Sequence, residues 1–114
     1  MILRIIKDKI TRQELEQIAV QTFGELVKAV VYVKKNIMAI GGELHSDEES
    51  VLLETGSEQE NLWGINLYPK EPLEKWIEFD SVINIRPSQS NRSRGIENSG
   101  MREKIVQIVN SLVK

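Results

Sequence analysis

Two apolar runs separated by three polar residues constrain this chain more than any other feature. Leu26 to Val33 is rich in valine, Lys34-Lys35-Asn36 offers a turn, and Ile37 to Ile40 returns. β-Branched residues on both sides of so short a connection make an antiparallel hairpin. Parallel neighbours need a crossover of a dozen or more residues, so this hairpin argues against a wholly parallel sheet. The rest of the chain must pack around it.

Other local signals extend that frame. Ile2 to Ile6 reads as a first strand. Thr11-Arg12-Gln13-Glu14 fits a capping box, in which hydroxyl and carboxylate satisfy the orphan amides of a helix start. Leu15, Ile18, Ala19 and Phe23 follow at helical spacing, and Gly24 suits the helix end. Gly41-Gly42 breaks the strand after the hairpin. Ser46-Asp47-Glu48-Glu49 then reads as a second capping box, opening a short helix through Leu53 that Gly56 can end.

Leu62 to Tyr68 alternates, with Leu62, Gly64, Asn66 and Tyr68 on one face and Trp63, Ile65 and Leu67 on the other. Pro69 and Pro72 bracket a turn. Trp76 to Arg86 reads as two strands or one long strand, with a bulge where the apolar phase shifts at Asp80-Ser81. A last helix starts near Ser99, with Met101, Ile105, Ile108, Val109 and Leu112 as its apolar stripe. The expected fold is a single α+β domain: a mixed, mainly antiparallel sheet with about three helices packed on it.

The chain has 114 residues, one domain by length, and no cysteine, which excludes disulfides, zinc–thiolate sites and a thiol nucleophile. The apolar run from Met1 to Ile6 is interrupted by Arg4 and is too short for a signal peptide or a membrane span, so cytoplasmic residence is expected. Charge is unevenly spread. Residues 1–42 carry seven bases and four acids, residues 43–80 two bases and eleven acids, and residues 81–114 six bases and two acids. The net charge of −2 argues against a general nucleic-acid coat protein.

Chemistry concentrates in two places. The tract Arg86-Pro87-Ser88-Gln89-Ser90-Asn91-Arg92-Ser93-Arg94-Gly95 has three guanidiniums, no acid and no apolar anchor. Guanidiniums grip phosphate or carboxylate with forked donors, and the following helix start favours negative charge. The same arginines could instead clamp the loop to the acidic middle of this chain or of a second copy. The other place is the set of polar residues that interrupt apolar strands: Asn66, Glu78, Asp80, Asn84 and Arg86, with Glu43 and His45 after the glycine pair. His45 is the one histidine, too little for a metal motif, and no metal or cofactor is expected. No P-loop, dinucleotide fingerprint or nucleophile elbow is present. Trp63 and Trp76 could stack bases, but such residues more often fill cores beside strands.

The segments Gly41-Gly42-Glu43-Leu44-His45, Leu62 through Pro69, Ile77 through Ser81, Ile83 through Pro87 and Asn91 through Gly95 together carry a specific resemblance that extends over nearly the whole chain. They resemble a family of short prokaryotic proteins classed as a domain of unknown function. That resemblance implies no activity and no catalytic residue. From the residues alone the expected function is an anion-binding module for phosphate or nucleotide. Arg86, Arg92 and Arg94 would hold the anion, Asn66, Asn84 and Asn91 would orient it, and Glu43, His45 and Asp80 would shape the floor. Two alternatives stand beside it. One is a phosphoesterase or nuclease with Glu43 or His45 as base. The other is a homodimer with the arginine loop docked on the acidic segment. A nucleic-acid partner is not favoured, and no membrane partner is expected.

Overall fold

The computed structural model describes residues 3–114. Its strands are β1 (Arg4–Ile6), β2 (Val27–Tyr32), β3 (Ile37–Ile40), β4 (Leu62–Leu67) and β5 (Ile77–Glu78), and its helices are α1 (Arg12–Gln21), α2 (His45–Glu54) and α3 (Ser99–Leu112). The start of the first strand expected at Ile2 lies outside the described residues. The sheet runs β1-β3-β2-β4-β5 with every neighbouring pair antiparallel, so the fold is α+β with three helices. The β2–β3 hairpin does seed it, turning through Asn36 at φ 57°, the left-handed region that asparagine tolerates.

Alternation sorts the sheet into two unequal faces. Val27, Ala29, Val31, Met38, Ile40, Trp63, Ile65 and Leu67 point to the side covered by α1 (Leu15, Ile18, Ala19) and α3 (Ile105, Ile108, Val109, Leu112). Val30, Tyr32, Ala39 and Leu62 point to the other side, where α2 contributes Leu52. The first face carries most of the apolar burial. The second is partly polar and holds the site described below.

Four local expectations are corrected. Phe23 does not continue the α1 stripe: the helix ends at Gln21, Phe23 is 45% exposed, and the Lys28 ammonium sits 4.9 Å from its ring. Ser46 is not a helix cap. α2 begins at His45 with Leu44 at the cap position and no side-chain cap, while Glu48 turns inward to accept from the Gly42 amide at 2.9 Å. The bulge at Asp80-Ser81 is instead a helical turn over Val82–Asn84, opened by the Ser81 hydroxyl accepting from Ile83 N–H. Finally, Trp76 to Arg86 gives only the two-residue β5, not a long strand or a pair.

The last correction has a specific cause. β5 pairs only with Asn66 and Leu67, so the outer edge of β4 from Leu62 to Ile65 meets no strand. Side chains take the strand's place. Asn84 Oδ1 accepts from Gly64 N–H at 2.8 Å and its Nδ2 donates to the Gly64 carbonyl at 2.9 Å, a copy of a backbone pair. Arg86 Nη2 donates to the Leu62 carbonyl at 2.7 Å, one pleat further along. Glycine at 64 allows this approach, because a Cβ there would fall 2.6 Å from Ser81 Cβ.

Candidate functional site

Strand register brings distant polar residues into one row. Lys28 on β2 faces Asn66 on β4, and Asn66 faces Glu78 on β5. All three stand on the α2 side of the sheet, because they alternate with the inward apolar residues. Asn66 Nδ2 donates to Glu78 Oε1 at 2.9 Å and to the Asp80 carbonyl at 3.3 Å. Tyr68 O–H donates to the same Glu78 oxygen at 3.1 Å. Both acceptors lie on the nitrogen side of the Asn66 amide, which fixes its orientation. Its Oδ1 is left buried without a partner on a side chain 6% exposed.

His45 closes the row from above. It is the first residue of α2, and its buried Nε2 lies 2.8 Å from the Ile65 carbonyl. A carbonyl only accepts, so Nε2 carries the proton and Nδ1 is the free ring nitrogen. Burial holds its pKa below the usual 6.5, opposed by the bond to Ile65, reinforced by Lys28 and opposed again by the nearby Asn66 amide and Asp80. The imidazole is therefore neutral at pH 7. Beside it Arg94 Nε donates to Asp80 Oδ1 at 2.6 Å, tying the loop before α3 to the strand end after β5. The start of α2 that carries His45 has no side-chain cap, and its Asp47 and Glu48 amides donate to the Leu44 carbonyl.

One buried acid supports this corner. Glu48 has no exposed surface, and burial pushes its pKa up to about 9, so it is a neutral acid at pH 7. Its bond to Gly42 N–H pins the loop that delivers His45. A Cβ at Gly42 would lie 2.9 Å from Glu48 Cγ, so glycine at 42 is a packing requirement.

The candidates named from the sequence separate into groups. His45, Asn66, Asp80 and Arg94 meet on the α2 face, and Glu43 stands exposed on the loop leading to them. Asn84 and Asn91 are buried braces: Asn91 Nδ2 donates to the carbonyls of Asn84 (2.8 Å), Ser93 (3.2 Å) and Gly95 (2.8 Å), and its Oδ1 accepts from Glu97 N–H at 2.8 Å. Arg86 stacks 4.1 Å from the Trp63 ring centroid and spends both terminal nitrogens on the Leu62 and Gln59 carbonyls. Arg92 is exposed, and its backbone N–H, with that of Ser93, donates to Glu97. The three guanidiniums therefore do not converge. Lys28 belongs to the site although no sequence pattern singled it out, and Tyr68 was legible only through the alternation that sets it on the face of Asn66. Glu78 was legible only as a polar interruption. Their signal was cross-strand register, which the hairpin alone does not set for β4 and β5.

Among the described residues, no helix is long and apolar enough to cross a membrane, and no three His, Asp or Glu side chains gather as a metal site would need. No curated protein and no solved structure matches the chain. Residues 4–112 match the family model described as Protein of unknown function (DUF5674), and the chain belongs to that family.

Proposed function

We propose that the α2 face binds a small anion, with phosphate or a phosphate ester as the leading ligand. The observation that carries this reading is the row Lys28–Asn66–Glu78 lying beneath the uncapped start of α2. An ammonium and a helix start both favour negative charge. Arg94, anchored through Nε by Asp80, keeps its terminal nitrogens for a guest. Glu78 and Asp80 would repel an anion if they faced it unpaired. Their charge is met by Asn66 and Tyr68 in one case and by Arg94 in the other. Arg86 plays no part in this receptacle, so the anion site is not the three-arginine loop.

A catalytic version is favoured by one further observation. His45 is neutral, with Nδ1 free, and stands beside the buried Asn66 amide. A neutral imidazole beside bound phosphate is a ready general base. This reading makes the protein a phosphoesterase, with His45 as base and Lys28 and Arg94 stabilising developing charge.

Titration with inorganic phosphate and with a nucleoside monophosphate, followed on the His45 ring signals by NMR, tests both versions. Binding should shift those signals saturably, and Lys28→Ala or Arg94→Ala should each weaken it by about tenfold. Unmoved His45 signals at about 10 mM of either compound would remove the site, since that limit corresponds to a Kd too weak to matter. Hydrolysis of a generic phosphomonoester or phosphodiester that survives His45→Ala would remove the catalytic version alone.

A further inference from the structure

The arginine tract bounds a second feature, separate from the α2 face. Between the turn Pro87–Gln89 and the start of α3 lies a cleft of about 400 Å³, walled by Trp63, Ser90, Asn91, Glu97, Asn98 and Met101. That volume admits a small organic molecule.

Two of its walls are buried, and they differ in one respect. Asn91 is saturated, with three acceptors on its nitrogen and a donor on its oxygen. Trp63 is 5% exposed, yet its indole N–H has no hydrogen-bond partner. Arg86, stacked on that ring, also leaves its Nε–H buried and unpartnered. A buried donor without an acceptor loses its bond to water and gains nothing in return, and here two lie in one stacked pair. The unmet capacity of this corner is therefore donor capacity, and it calls for an acceptor.

Charge says which acceptor. Arg86 gives its terminal nitrogens to backbone carbonyls and forms no ion pair with any described residue, with Glu49 and Glu60 the acids whose charge it feels. Glu97, the acid in the wall, has its carboxylate turned to the amides of Arg92 and Ser93, whose bonds hold its pKa below the usual range. The Arg86 charge is therefore met by no contacting carboxylate. Met101 and the Trp63 ring edge add apolar surface. We infer that this cleft is a second binding site, for the carboxylate of an organic acid with an apolar body, with the Trp63 indole N–H as donor and the Arg86 guanidinium as the balancing charge.

Trp76 supplies the internal control. It too lies under a guanidinium, that of Arg12 at 4.4 Å, and has an unpartnered indole N–H, but it is 1% exposed and does not border this cleft. The experiment follows both indole N–H signals of the ¹⁵N-labelled full chain during titration with acetate, N-acetyl-leucine and N-acetyl-leucinamide. The two carboxylates should move the Trp63 signal downfield saturably, N-acetyl-leucine at lower concentration, while the amide and the Trp76 signal stay still. Arg86→Lys should weaken N-acetyl-leucine by about tenfold. A short peptide ending in a free leucine separates the sources: binding equal to N-acetyl-leucine assigns the site to chain ends, and weaker binding assigns it to free acids. A Trp63 signal unmoved by about 50 mM of both carboxylates, or moved equally by the amide, overturns the inference, since a charge-selective site must bind within that range and reject the neutral form. Because the readout is at Trp63 and the ligand a carboxylate, failure here leaves the α2 face untouched.

Discussion

Replacing Asn84 with alanine removes a side chain that stands in for a strand. Two backbone groups lose their partners, the N–H and C=O of Gly64. The carbonyl of Arg94, which Nδ2 also reaches at 2.9 Å, keeps the Ser81 N–H. Gly64 is buried, so water reaches its vacated edge only by loosening the turn over Val82–Asn84. At about 1.5 kcal/mol for each stranded group, the expected loss is on the order of 3 kcal/mol. With an unfolding entropy of roughly 2 cal/mol/K per residue, that corresponds to a Tm lowered by about 12 °C. Urea unfolding followed by fluorescence of the two buried tryptophans measures the loss, and an unchanged m value assigns it to the folded state. Asn84→Asp should be at least as damaging, because it keeps the acceptor for Gly64 N–H but sets a carboxylate against two carbonyls. Hydrogen exchange at the Gly64 amide gives a local readout and should lose its protection in both variants. A loss below about 1 kcal/mol in Asn84→Ala, with Gly64 still protected, would refute the idea that this amide completes the sheet edge.

Other outcomes follow from the same geometry. Glu48 keeps its proton in the folded chain up to about pH 9 but in the unfolded chain only to the usual carboxylate range, so its contribution to stability falls as pH rises between those limits. Glu48→Gln should remove that slope, and at pH 7 it should be more stable than the parent by on the order of 3 kcal/mol, less the cost of the buried amide nitrogen. His45 has the opposite sign: its lowered pKa gives stability above the unfolded value of 6.5 that is lost as pH falls through the folded one. Denaturation curves from pH 5 to pH 9 should therefore show only the acid-side decline in the Glu48→Gln variant. Gly64→Ala should cost about 2 kcal/mol by overpacking against Ser81, and adding Ser81→Gly should restore part of it, a coupling that a double-mutant cycle reads. Asp80→Ala should cost less than about 1 kcal/mol, because the ion pair is 42% and 56% exposed, yet it should weaken phosphate binding by freeing Arg94. Equal damage to stability and binding would show that Asp80 holds the fold and not the ligand.

Local chemistry was legible wherever one segment carries its own instruction. The Thr11–Glu14 box closes both of its hydrogen bonds, the hairpin turns at Asn36, and the α3 stripe is the one read from spacing. Reading failed where a residue's partner lies far along the chain. Ser46 to Glu49 has the composition of a cap, but the Gly42 amide and the sheet below recruit Glu48 inward, and the helix starts two residues early. Asn84 and Arg86 look like strand residues sharing a face, two positions apart, and they do reach β4 groups two positions apart, but with side chains. Periodicity registers the spacing and not whether backbone or side chain makes the bond.

The site divides in the same way. Sequence alone settled that polar residues interrupt the strands near their ends, that an acid-free arginine tract follows β5, and that no cysteine chemistry is available. Tertiary structure alone decided that Lys28, Asn66 and Glu78 share a row, that His45 is held neutral above them, and that only Arg94 of the three arginines joins that face. The reason is geometric. Whether a guanidinium is a free cation or a spent donor depends on which carbonyls and rings lie within about 3–4 Å of it. In an antiparallel sheet those neighbours come from strands tens of residues apart, placed by register rather than by adjacency.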